Sequence, residues 1–73
     1  MAKNGNEGVY KIVEVIGSSS TSWEDAARSA VKTASKSLRD LRIAEITKLD
    51  VKIEGGKITA FRARLSLSFK YEA

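Results

Sequence analysis

The chain has 73 residues, room for one small domain. It contains no Cys and no His, which excludes a disulfide framework, Cys/His zinc sites and catalysis by thiol or imidazole. Thirteen Lys and Arg against nine Asp and Glu leave a net charge of +4, an ordinary value for a small soluble domain.

The basic residues are spread along the chain rather than run together, so nucleic acid is not the expected partner. No apolar run reaches the about 18 residues of a membrane span, and no signal peptide is evident; a cytoplasmic protein is expected. A domain below about 80 residues usually needs a staple beyond its own core. With disulfides and zinc excluded, an unusually ideal core, a hard cation on oxygen ligands or association with other chains remains, and association is the one expected.

Residues 1–8, with Asn4, Gly5, Asn6 and Gly8, read as a loose polar tail, and residues 9–73 as the domain. Tyr10 to Ile16 is short and β-branched and is closed by Gly17, which predicts a strand. Ser18 to Ser22 then forms a polar turn, read as a loop ending in a helix cap rather than as an anion-binding loop. Ser22 with Asp25, or Thr21 with Glu24, approximates a capping box. From Trp23 to about Leu41, Trp23, Ala26, Ala27, Ala30, Val31, Ala34, Leu38 and Leu41 recur at helical spacing. The alanines allow a backbone to approach closely, and Trp23 is read as core or interface rather than a ligand platform.

Arg42 to Glu54 alternates as a long strand, Gly55-Gly56 marks a hairpin, and Lys57 to Tyr71 forms a second long strand. The last strand carries Phe61, Ala63, Leu65, Leu67, Phe69 and Tyr71 on one side and Arg62, Arg64, Ser66, Ser68 and Lys70 on the other. The order β-α-β-β predicts an α+β fold, a three-stranded antiparallel sheet of order 1-3-2 wrapping one helix. A two-residue turn pairs Glu54 with Lys57, hence Val51 with Ala60, Leu49 with Arg62 and Ile46 with Leu65. Leu49, Val51, Ile53, Ile58 and Ala60 would then form an apolar patch away from the helix, calling for another chain. A three-residue turn would separate apolar from polar residues cleanly.

This pattern resembles the dodecins. The resemblance runs from Val9 to Glu72 through VYKIVEVIGSS, SWEDAARSAVKTAS, LRDLRIAEI and LSLSFKYE. It implies a hollow homo-dodecamer that binds or stores a small ligand and is not an enzyme. Flavin-binding dodecins carry a stacking Trp where this chain has Ile43, ahead of Glu45, and a Gln where it has Arg62. Ile43 lacks the π surface of an aromatic ring, and Arg62 offers only donors. Flavin in the usual stacked mode is therefore not expected; riboflavin or FMN in an altered pocket is the alternative. The resemblance is closer to the calcium dodecins, which implies calcium or another hard cation, or else an anionic small molecule. Glu14, Asp50 and Glu54 are candidate oxygen ligands for such an ion, although Asp50 and Glu54 can equally pair with nearby cations.

Overall fold

The structure is a computed structural model that describes residues 8–71; the expected tail, apart from Gly8, lies outside the described residues. Its elements are β1 (Tyr10–Ser19), α1 (Trp23–Ala34), β2 (Leu41–Glu54) and β3 (Lys57–Lys70). The sheet has the order β1-β3-β2 with both contacts antiparallel, as the sequence predicts.

β1 does not stop at Gly17. It continues to Ser19, with Gly17 paired to Ala63 and Ser19 to Phe61. Gly17 is needed there because the helix backbone lies directly over it: a Cβ would run into the Ala26 carbonyl oxygen and stand 2.9 Å from the Ala30 Cβ. The alanine stripe of α1 makes this approach possible.

The helix is shorter than its apolar pattern suggests. It ends at Ala34, and a turn carries Leu38 and Leu41 back onto the core. Ser35 and Ser37 account for the early stop, because their hydroxyls donate to the Val31 and Ala34 carbonyls, at 2.7 and 3.5 Å. Asp40 then adopts a left-handed φ of 57°, which Asp tolerates better than most residues, and turns the chain into β2.

Glu54 opposes Lys57, and Gly55 and Gly56 both have positive φ, as a tight hairpin requires. A bulge between Lys52 and Ile53 corrects the rest of the predicted register. It shifts the pairing by one residue, so Val51 faces Phe61, Asp50 faces Arg62 and Leu49 faces Ala63. Leu49 and Val51 thereby move to the helix side, the separation that a three-residue turn would have given. A second irregularity between Ile46 and Lys48 restores the Ile46–Leu65 pair.

The core consists of Ala26, Ala30, Ala63, Leu65 and Leu67, flanked by Val15, Ala27, Val31, Ala34, Leu38 and Leu41. It sits under β1 and β3, because α1 lies over those strands and barely touches β2. The helix-side residues of β2 therefore stay open, with Ile46 49% and Leu49 51% exposed. The Cα radius of gyration is 15.0 Å, against about 11 Å for a compact domain of this length. Accessible surface is 5556 Å², where a monomeric 8.0 kDa protein shows about 4,450 Å². Exposed apolar side chains thus remain on both faces: Ile46 and Leu49 on the helix side of β2, where Leu49 was expected on the far face, and Ile12, Ile16 and Ile43 on the face away from the helix.

Candidate functional site

Alternation along the strands assembles one polar sheet face, directed away from α1. It is built from cross-strand rows: Ile12–Ser68–Ile43, Glu14–Ser66–Glu45, Ile16–Arg64–Lys48 and Ser18–Arg62–Asp50. Every candidate site residue except Glu54 falls in these rows.

The rows also separate some of the candidates. Ile43 opposes Ser68, and Arg62 lies six residues away along β3, about 20 Å at the rise of a strand. Within one chain Ile43 and Arg62 are therefore not neighbours on this face. Glu45 stays near Ile43, two positions along the same face.

Arg62 is already occupied. Its Nε and Nη2 donate to Asp50 Oδ1 and Oδ2 at 2.7 and 2.8 Å, a bidentate fork. This hydrogen bond holds the Asp50 carboxyl below its usual range; partial desolvation opposes it, and the charges of Arg62 and Arg64 add to it. The same bond raises the Arg62 guanidinium further. Asp50 is thus a counter-ion within the chain. Glu54 lies 3.5 Å from the Lys52 ammonium, an exposed pair.

Glu14 and Glu45 remain, both exposed and facing each other across the Ser66 position. Among the described residues neither is hydrogen-bonded or ion-paired, and no three possible metal-ligating side chains converge. This acidic row was not apparent in the sequence, because it depends on two strand registers at once.

Trp23 serves the fold. Its indole N–H donates to the Asp50 carbonyl at 3.0 Å, and its ring meets Phe61 edge-on with centroids 5.2 Å apart. The start of the helix is thereby pinned to both strands of the hairpin. The preceding loop is a cap, as expected. Ser22 accepts from the Asp25 N–H at 3.0 Å, and Ser19 Oγ accepts from the Thr21 N–H at 2.9 Å while donating to Asp25 Oδ2 at 2.7 Å. Those N–H groups are already bonded, and Glu24 and Asp25 place negative charge at the helix start, so the loop does not attract anions.

Comparison with known proteins agrees with this architecture. The dodecin family model matches residues 9–72. Calcium dodecin from Mycobacterium tuberculosis is 46% identical over 63 residues, 85% of this chain and 87% of that protein. Among solved structures, dodecin from Streptomyces coelicolor superposes with a TM-score of 0.86 at 34% identity, covering 93% of this chain and 97% of the other. The crystal structure of the M. tuberculosis calcium dodecin, described as calcium-chelating with a novel calcium-binding site, gives a TM-score of 0.79 at 42% identity, covering 89% and 93%. No helix among the described residues is long and apolar enough to cross a membrane. With the β-α-β-β order, the 1-3-2 sheet and a family match across nearly the whole chain, this protein belongs to the dodecin family.

Proposed function

We propose that the chain assembles into a hollow homo-dodecamer that binds or stores a small ligand, either a hard cation such as calcium or an anionic small molecule. The observation that carries this reading is the uncovered flank of β2. A helix seated over two strands of three leaves Ala44, Ile46 and Leu49 without cover, and burial against neighbouring chains supplies the missing core.

Calcium takes six to eight oxygen ligands. Since no three candidate ligands converge among the described residues of one chain, the site would be built where chains meet. Glu14 and Glu45, exposed and unpaired on one row, are the carboxylates available for it. Asp50 is a poorer ligand because Arg62 holds both of its oxygens. The calcium-binding relative supports this ligand class.

Flavin stacked in the usual mode is disfavoured by the aliphatic Ile43 and by the engagement of Arg62. Binding of riboflavin or FMN in an altered pocket is the alternative, with Ile43 and Arg62 standing three rows apart on the face of one chain.

Native mass spectrometry of the purified protein tests the assembly: a twelve-subunit mass is expected, and a monomer or dimer at micromolar concentration overturns it. Equilibrium dialysis with calcium then tests the ligand. Glu14→Gln with Glu45→Gln should lower the bound calcium per subunit, and unchanged stoichiometry would remove these carboxylates from the site.

A further inference from the structure

On the polar sheet face, Lys48 of β2 and Arg64 of β3 are direct cross-strand partners, with main chains about 5 Å apart. Like charges placed opposite each other destabilise a sheet. Among the described residues neither side chain has an ion pair or a hydrogen-bonding carboxylate. The third member of the row is the half-exposed Ile16, which brings no charge.

The neighbouring carboxylates balance the cations of these rows in number but make no salt bridge with Lys48 or Arg64. Asp50 lies between Lys48 and Lys52 along β2 and opposes Arg62, but both of its oxygens are held by Arg62. Lys52 is engaged by Glu54. The remaining carboxylates of the face, Glu14 and Glu45, stand one row away at Ser66. Within these rows the cations without a salt-bridge partner are therefore Lys48 and Arg64, with Arg64 acting on Asp50 only through space.

We propose that Lys48 and Arg64 form a receptor for a multivalent phosphate, free or carried on a nucleotide, and that Asp50 keeps Arg62 from joining it. A planar guanidinium beside a mobile ammonium suits an anion with several oxygens. The guanidinium supplies a directed fork and the ammonium a point charge. Bound phosphate would also relieve the like-charge opposition, so binding and stability are coupled. This deepens the reading of the protein as a small-ligand binder and rests on it.

Isothermal titration calorimetry of the intact protein with inorganic pyrophosphate tests the proposal, with ADP as a second arm. Pyrophosphate should bind, and raising the salt from about 20 to about 200 mM should weaken it. Lys48→Gln with Arg64→Gln should weaken binding by about tenfold or more. Both side chains are exposed, so the fold should persist, and native mass spectrometry should show the wild-type subunit count. Asp50→Asn should tighten binding by releasing Arg62. Tighter binding of ADP than of pyrophosphate identifies a nucleotide; equal binding identifies the phosphate alone. Absent pyrophosphate binding, or equal affinity in the Lys48/Arg64 double variant, overturns the receptor. Unchanged affinity in Asp50→Asn overturns the role given to Asp50. Because subunit count is measured separately, failure of the assembly and failure of the receptor are distinguishable.

Discussion

Gly17 of β1 and Ala26 of α1 meet main chain to main chain, so closely that a single methyl group on Gly17 would strike the Ala26 carbonyl oxygen. That contact sets the spacing between helix and sheet. A backbone atom cannot swing aside as the end of a long side chain can, so the whole helix would have to lift from Ala63 and Leu65.

Gly17→Ala is accordingly expected to destabilise the fold by roughly 3 kcal/mol, at the upper end of overpacking costs. Urea unfolding followed by circular dichroism measures this. A loss below about 0.5 kcal/mol, the size of an ordinary surface change, would mean that the helix can slide along the sheet.

Trp23→Phe should cost about 1 kcal/mol, because it removes the hydrogen bond to the Asp50 carbonyl while keeping a ring against Phe61. Trp23→Ala removes the aromatic contact too and should cost about 1 kcal/mol more from the ring pair alone. Thermal melts of the two variants separate the contributions, and equal melting temperatures would mean that the ring contact with Phe61 contributes nothing.

The Asp50–Arg62 fork gives a pH dependence of defined sign. Asp50 has a lowered pKa when folded and a value of 3.8 as a reference when unfolded. Its contribution is therefore complete above 3.8 and is lost as the pH falls through the lower folded value. Asp50→Asn should flatten the acid limb of a melting-temperature profile below about pH 4 and leave its slope near neutrality unchanged. An identical acid limb in both proteins would show that the fork does not couple to folding.

Ile46→Asp or Leu49→Asp on the uncovered flank of β2 should disrupt assembly more than the fold of the chain, since both side chains are half-exposed in a single copy. Light scattering after size-exclusion chromatography should show the loss of the large species, with circular dichroism retained. Persistence of the wild-type mass would place the subunit contacts elsewhere.

Element order, sheet order and the closing pair of the hairpin were legible from the sequence. They follow from alternation, from the alanine stripe and from Gly55-Gly56, signals that span a few residues. The bulge at Lys52 was not, because an extra residue in one strand leaves the pattern of each strand intact and shows only in their pairing. The end of α1 was hidden similarly: Leu38 and Leu41 continue the helical spacing, yet the hydroxyls of Ser35 and Ser37 bond back to the helix and end it. The solvated pairing of Asp50 was foreseen as one option among several cations. The opposition of Lys48 to Arg64 required the shifted register, since the unshifted one does not pair them.

The same bulge separates the tip of the hairpin, residues 53–58, from the stretch whose register positions the polar face. A Cβ added at Gly55 or Gly56 would meet nothing within 4 Å. A peptide or label spliced between these two glycines would lengthen a tip that the core does not feel. The hairpin is thus a mounting point, offering one attachment per chain at the end of two 14-residue strands.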